Sequence, residues 1–522
     1  MKKRFWDLLF FIFSFAILFS PYIILAFKIA PLNEEEWFVG EKHFIFGFDK
    51  GKSEPLITPY SCHDLKDSSY YHFSKKEISD DLYIVFSKLP PLVFLCAFGR
   101  TFYILGWGHV GPISLTYYKL FENIFGPESI LSARISSLII IILIAIVFTY
   151  KQKNKKSFFF FLSFPVFLFF VPVADIYYSL LYLFSLLSFF SMLERNFKKF
   201  YFWSSLSILT HLRGFVIFLS FFISFVLFFR SDFKKVLDRF AVLIPASLFI
   251  YFLPSFASFK FSQDIYTVEA FSSFEMIKFF LLNVVGRFSI IFQLIGTRFG
   301  DVIVSSNIAL VVKELGLLKT LPFWFLIFSI VVSVSFFLPA FLNKENLKYL
   351  VFFFTYFLLS LIAVPFFGAM PWQFIPVNFL ILIPSFSFLE KNMFSLFVPL
   401  FLGFTFNLYS SLKLENIISE YALWKNHKEV IEVLRNYVDD KEVFAITKSN
   451  IFHLYYRQVE AKYFVLMSEE RKQKIYLEYL AKILSRYDVI ILSRHFYGLE
   501  YIIPKDYREV FSNEVFRVFH RD

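Results

Sequence analysis

Apolar stretches of roughly 20 residues recur from the N-terminus to about residue 410, and each is long enough to cross a bilayer as a helix. Backbone groups in lipid must be satisfied within their own segment, so these stretches are read as helices and not as strands. Of the 522 residues, 57% are hydrophobic and only 18% charged, which is too apolar for one soluble domain of this size. The 82 phenylalanines include runs such as Phe158 to Phe161 that carry no chemistry, and these are expected to face lipid.

The net charge of +11 raises the question of nucleic acid, but the cations cluster in short loops between apolar runs. That is where the positive-inside rule places them, so membrane lipids and not nucleic acid are the expected partner. Cys62 and Cys96 are the only cysteines and both fall before the second span, which leaves a single outer disulfide open. Met1 to Arg4 and the apolar run to Ala26 look like a signal peptide. The run exceeds an h-region and lacks a small-residue cleavage site, so it reads as a retained signal anchor.

Spans are expected at about 5–28, 129–150, 157–173, 176–193, 200–211, 214–229, 240–258, 320–341, 347–368, 373–389 and 393–409. A first outer loop covers about 29–128, with its apolar but broken part from Pro90 to Gly126 lying at the membrane surface as juxtamembrane helices. A second outer loop covers about 259–319, with a surface-active stretch near Met276 to Ile295. Short loops holding Lys151, Lys153, Lys155, Lys156, Arg195, Lys198, Lys199, Arg230, Lys234, Lys235, Lys344, Lys348 and Lys391 read as cytoplasmic. Those near Asp175, Arg213 and Met370 hold few cations and read as outer. The expectation is an α-helical polytopic protein of the plasma (inner) membrane with about 11 transmembrane helices over 1–410, its N-terminus cytoplasmic and its C-terminus extracytoplasmic.

From about Ser411 the pattern turns mixed and charged, and 411–522 reads as a small extracytoplasmic α/β domain. It has an amphipathic helix around Lys428 to Tyr437, with Val430, Val433, Leu434 and Tyr437 at helical spacing. Strands follow at Val443 to Thr447, Tyr463 to Met467 and Asp488 to Ser493, with a helix at about 469–486 and a hairpin near Val510 to Phe519. It contains no phosphate-binding loop, Gly-rich fingerprint or metal-spaced Cys/His set.

Ionisable residues at the membrane boundary are the candidates for chemistry. In Asn33-Glu34-Glu35-Glu36-Trp37, three carboxylates crowd the outer surface. Like charges beside a low-dielectric medium raise one another's pKa, which suits a general base or metal ligand. The same residues also suit an acidic cap on a surface helix. His109-Val110-Gly111-Pro112-Ile113-Ser114-Leu115, Phe125-Gly126 and Ala133-Arg134 come next; an incidental loop His and a snorkelling Arg are the plainer account. Asp175 is an isolated acid at a hairpin tip. His211 and Arg213 stand where two spans meet, and an Arg there either grips a phosphate bidentately or anchors in headgroups.

The order of an acidic pair after the first span, then a His-Val-Gly-Pro element, Phe-Gly and Ala-Arg, resembles the GT-C superfamily of membrane glycosyltransferases. In pattern it is similar to the dolichyl-phosphate-mannose protein mannosyltransferase-like enzymes and the lipid A aminoarabinose transferases. Thr210-His211-Leu212-Arg213 looks like the family's cation after a short span, and the tail resembles the extracytoplasmic domain many members carry. The chain departs from the pattern in having Glu34-Glu35 or Glu35-Glu36 for Asp-Glu, Gly111-Pro112 for Pro-Pro, and Gln373 where many members have Arg.

The resemblance implies an inverting hexosyl- or pentosyl-type transfer, on the outer face, from a polyprenyl-phosphate-sugar donor to a lipid, glycan or protein acceptor. It implies Glu35, flanked by Glu34 and Glu36, as base and Asp175 as the second acid. His109, Arg134, His211 and Arg213 stand on the donor-phosphate side, with Arg287 and Arg298 as weaker members. No cofactor is required by the sequence; Glu35 and Asp175 would hold Mg²⁺ or Mn²⁺ through oxygen if a divalent ion takes part. A flippase or transporter of lipid-linked glycans is the alternative outside enzymes. It predicts internal repeats and charged, broken helices within the membrane, and no convincing repeat is seen. An O-antigen ligase or polymerase is the other enzyme class; it would place its principal catalytic loop late in the chain.

Overall fold

The computed structural model describes residues 2–28, 45–48, 55–58, 73–79, 82–88, 91–97, 100–105, 111–125, 130–170, 176–228, 238–258, 323–342, 346–367, 375–421, 424–435, 443–446, 484–485, 487–494 and 500–522. Helix α1 (Lys2–Lys28) is followed by six strands, β1 (Ile45–Phe48), β2 (Pro55–Thr58), β3 (Phe73–Ser79), β4 (Leu82–Lys88), β5 (Pro91–Ala97) and β6 (Arg100–Leu105). Helices α2 (Pro112–Phe125), α3 (Ile130–Gln152), α4 (Lys156–Ser163), α5 (Ile176–Leu193), α6 (Phe197–Thr210), α7 (Arg213–Phe228) and α8 (Leu243–Ser258) come next. After them come α9 (Phe323–Phe341), α10 (Leu347–Phe367), α11 (Phe379–Leu389), α12 (Met393–Tyr421) and α13 (Trp424–Arg435).

Every one of the segments expected to span carries helix. Among the described residues, Phe11–Lys28, Arg134–Gln152 and Met393–Leu412 are long and apolar enough to cross a membrane, and six further apolar helical stretches run 10–17 residues. The outward faces suit lipid: Leu9, Ile12 and Phe13 on α1, and Phe394, Phe397 and Phe401 on α12, are exposed. Helix α12 continues through residue 411, where the composition changes, to Tyr421.

The Phe run at 158–161 corrects the expectation of a lipid-facing filler. Phe158, Phe160 and Phe161 are buried. Phe160 meets Phe336 at 5.2 Å and Phe386 at 5.5 Å, while Phe161 lies 4.0 Å from Phe167. Lipid tails are as apolar as a Phe ring, so hydropathy cannot say which side a ring takes; interlocking aromatic pairs favour the interior through packing.

Helix α4 stops where Pro165 removes a backbone donor. Phe161 O receives Phe164 N at 3.0 Å, and the chain goes on as a 3₁₀ turn, Pro165–Phe170. Side chains from other helices satisfy the carbonyls at the break. Tyr22 Oη donates to Leu162 O at 2.7 Å, and Asn407 Nδ2 lies 3.4 Å from Leu162 O and 3.3 Å from Ser163 O. Gly403 permits this approach, since a Cβ there would sit 2.3 Å from Ser163 O.

Serines join α5, α6 and α8. Ser188 and Ser204 hydroxyls meet at 2.6 Å and those of Ser185 and Ser207 at 3.2 Å; Ser205 also bonds Ser247. Small polar residues let helices approach closely and add hydrogen bonds where water is absent. The α5–α6 turn closes with Arg195 in the left-handed region (φ 55°) and the Asn196 side chain accepting Lys199 N at 3.2 Å.

At the end of the bundle holding that turn, three loops meet. Lys151 pairs with Glu194, Asn154 Nδ2 donates to Glu390 at 2.6 Å, and Lys156 Nζ reaches Met393 Sδ at 3.1 Å. These are loops the charge pattern assigned to one side.

The segment expected as a first outer loop differs from a set of juxtamembrane helices. Strands β3, β4, β5 and β6 form an antiparallel meander in that order, so Pro91–Ala97 and Arg100–Leu105 are strands, and α2 is the one helix of this stretch among the described residues. The β-branched and aromatic alternation of Leu82–Lys88, paired Phe86↔Val93 with β5, accounts for this better than a surface helix does. Pro91 opens β5, where a missing N–H is tolerated. Cys96 lies on β5 opposite Tyr83 of β4, and Cys62 falls outside the described residues.

The tail folds as an α/β unit. Strands β7 (Val443–Ile446), β8 (Val489–Ser493), β9 (Tyr507–Ser512) and β10 (Phe516–Arg521) lie in the order β7-β8-β10-β9, with β7 parallel to β8 and the rest antiparallel. Helix α13 packs Val430, Ile431 and Leu434 onto Val443, Val489, Ile491, Phe516 and Val518. The expected strand at Tyr463 to Met467, most of the helix at 469–486 and the surface-active stretch from Met276 to Ile295 lie outside the described residues.

Candidate functional site

Among the described residues, Arg134 and Arg213 head the fully buried side chains by volume, with 2% and 1% exposure. A buried guanidinium is costly unless its donors are met, so these two side chains direct attention to the end of the bundle that holds them.

Arg134 sits at the start of α3, beside the finish of α1. Its Nη1 donates to Ala26 O at 3.1 Å and lies 3.4 Å from Leu25 O. The last carbonyls of a helix have no partner within the helix and carry its negative dipole end, so a cation there meets both needs. Two residues on, Ser136 O accepts the Tyr117 hydroxyl at 3.1 Å, which fixes α2 to the same stretch of α3. Burial pushes the Tyr117 phenol up, keeping it a neutral donor.

The α6–α7 turn holds His211 and Arg213. Thr210 O accepts Gly111 N at 2.8 Å and Ser114 Oγ at 3.0 Å, so the first turn of α2 is latched to the end of α6 across 96 residues of sequence. Pro112 begins α2, where its fixed φ and absent N–H favour helix initiation. His211 is extended (φ −160°, ψ 139°), and its Nδ1 accepts Arg213 N at 3.0 Å, capping the start of α7. That bond requires an unprotonated Nδ1, so in this geometry the imidazole is neutral and its remaining donor is Nε2–H. Its ring stacks on Tyr178, with centroids 5.6 Å apart. Gly214 allows the tight turn, because a Cβ there would lie 2.4 Å from the Ser207 backbone.

Of the predicted site residues, the structure thus places Arg134, His211 and Arg213, and α2 links the two groups. Glu34, Glu35, Glu36, His109, Asp175, Arg287, Arg298 and Gln373 lie outside the described residues. Ser114, Tyr117, Tyr178 and Thr210 join these contacts without any charge or motif of their own in the sequence. Ser114 and Thr210 lie inside stretches marked for their charged neighbours, while nothing in the sequence marks Tyr178. No cluster of three or more His, Cys, Asp or Glu that could hold a metal ion occurs among the described residues.

No family model matches the sequence, and no curated protein matches it. Two solved structures share its fold. ArnT from Cupriavidus metallidurans bound to undecaprenyl phosphate superposes with a TM-score of 0.52 at 10% identity, over 98% of this chain and 97% of that one. The same protein in the apo state gives 0.54 at 8% identity, over 99% and 98%. A likeness that runs the length of both chains at so low an identity is one of architecture, and the fold of this chain is similar to that of ArnT.

Proposed function

We propose that the protein is a membrane glycosyltransferase that moves a sugar from a polyprenyl-phosphate donor to a lipid, glycan or protein acceptor on the outer face of the membrane. The observation that carries this is the full-length likeness to ArnT, whose structure holds undecaprenyl phosphate. The pairing of buried Arg213 with the capped start of α7 adds a second support, since a guanidinium at a helix N-terminus suits a phosphate.

In this reading eleven spans place the acidic segment Glu34–Glu36, the hairpin at Asp175, the α6–α7 turn and the tail on the outer side. The N-terminus and the loops joined through Glu194 and Glu390 are cytoplasmic. Glu35, or one of its neighbours, accepts the acceptor's proton as the new glycosidic bond forms. The acceptor atom attacks the anomeric carbon from the face opposite the carrier phosphate, so configuration inverts. The phosphate leaves as an anion neutralised by Arg213, with His109 and Arg298 as further phosphate-side groups and His211 contributing through Nε2–H. No general acid is needed, in contrast to the paired carboxyls of glycosidases. Asp175 orients the acceptor, and with Glu35 supplies oxygen ligands if a divalent ion is used.

The test is incubation of purified protein with radiolabelled polyprenyl-phosphate sugars and a membrane extract, with and without EDTA. Label on an acceptor supports the transferase. Carrier crossing liposomes without transfer supports a flippase and sinks it. Glu35→Ala and Asp175→Asn should each abolish transfer while leaving insertion intact; full activity in both removes the assigned acids.

A further inference from the structure

Arg134 belongs, by sequence order, with the cations expected at the donor phosphate. Its geometry indicates a different task. Its Nη1 bonds the carbonyls of Ala26 and Leu25, in the last turn of α1. Its exposure is 2%, and the neighbouring Tyr117–Ser136 bond closes α2 over the same stretch of α3. Lys28 ends α1, and Asn33, the first residue of the acidic segment, follows five positions later. The chain reaches at most about 17 Å from Lys28 to Asn33 and about 28 Å to Glu36, so the end of α1 limits where the three carboxylates can be.

We infer that Arg134 is a positioning residue: by bonding the last carbonyls of α1 it fixes the point from which the Glu34–Glu36 segment leaves the bundle, and it is not a ligand of the donor phosphate. The two roles separate by chemistry. A phosphate ligand is felt in donor affinity. A clamp on the departure of the general base is felt in turnover, with donor affinity kept, and in the order of the last α1 turn. The catalytic half of the inference rests on the transferase reading; the structural half does not.

The experiment uses the full chain in lipid nanodiscs, as wild type, Arg134→Lys and Arg134→Gln. Three readouts are taken: hydrogen exchange of the α1 amides over 22–28, binding of undecaprenyl phosphate by native mass spectrometry, and kcat and KM for donor. In Arg134→Gln the last α1 turn should exchange about 10-fold faster or more. Binding of undecaprenyl phosphate should stay within about twofold, and kcat should fall about 10- to 100-fold at unchanged donor KM. Arg134→Lys, which keeps a donor able to reach one carbonyl, should be intermediate in exchange and kcat.

Unchanged exchange in Arg134→Gln, or a weakening of lipid binding by about 10-fold or more, overturns the inference. If Arg134→Gln does not fold, Arg134→Lys decides between the same outcomes. A wild-type protein that neither binds undecaprenyl phosphate nor transfers sugar removes the function proposed above, while the exchange result still decides whether Arg134 holds α1.

Discussion

The two ends of the helix bundle use cations in opposite ways. At one end Lys151 pairs with Glu194, Lys153, Lys155, Lys198, Lys199 and Lys391 are exposed, and each loop is anchored by a few side-chain bonds. At the other, Arg134 and Arg213 are almost wholly enclosed, and the residues around them bond backbone carbonyls and helix starts. Exposed ion pairs contribute little to stability, typically about 0–1 kcal/mol, so the first set does little to hold the bundle together. Enclosed guanidinium groups persist only where the surroundings over-determine them. The difference teaches that a count of cations by loop reports sidedness, whereas burial reports where chemistry can be built.

Breaking the enclosed end should have the larger consequences. Arg213→Gln should lower transfer about 100-fold in kcat/KM, or about 3 kcal/mol in transition-state stabilisation, measured with a radiolabelled donor. Near-normal kinetics would place the phosphate elsewhere. Gly214→Val forces a side chain into the Ser207 backbone and should destabilise the fold by about 2 kcal/mol, seen as a lower thermal midpoint in detergent. An unchanged midpoint would mean that α6 and α7 need not approach so closely.

Smaller effects calibrate the contrast. Ser188→Ala should cost about 0.6 kcal/mol, in line with interhelical hydrogen bonds in membranes, and a double-mutant cycle with Ser204→Ala would recover that coupling. Lys151→Gln should shift stability by less than about 0.5 kcal/mol. A shift as large as that of Gly214→Val would erase the distinction between the ends.

Helix positions were legible because twenty-residue apolar runs in lipid admit few alternatives. The amphipathic spacing of Val430 and Leu434 likewise located α13, and a short continuous apolar run located β8. Which face of a helix packs was not legible. Phe160 and Phe13 have the same hydropathy, yet one is enclosed and the other exposed, because only the shape of neighbours separates them. The meander of β3 to β6 is a related case: the alternation in Leu82–Lys88 favours sheet, but the apolar run of Pro91–Ala97, read without its partner strand, fits a surface segment as well. At the site, Arg213 was visible as a cation where cations were scarce. Its setting was not, because Gly111 N–H and Ser114 Oγ reaching Thr210 O is a backbone-centred contact with no compositional trace.

The break after α4 bears on how the protein is made. Ser163 O is met by Asn407, a residue 244 positions later in the chain. A ribosome adding about 5–20 residues per second needs about 12–50 s to reach it. Through that interval Tyr22, already inserted, can serve Leu162 O, but Ser163 O has to find a substitute partner in the translocon, a chaperone or water. Removal of the Asn407 amide is therefore a defect of the last stage of assembly: the early helices insert normally, and the quality-control machinery meets a nearly complete chain that does not close.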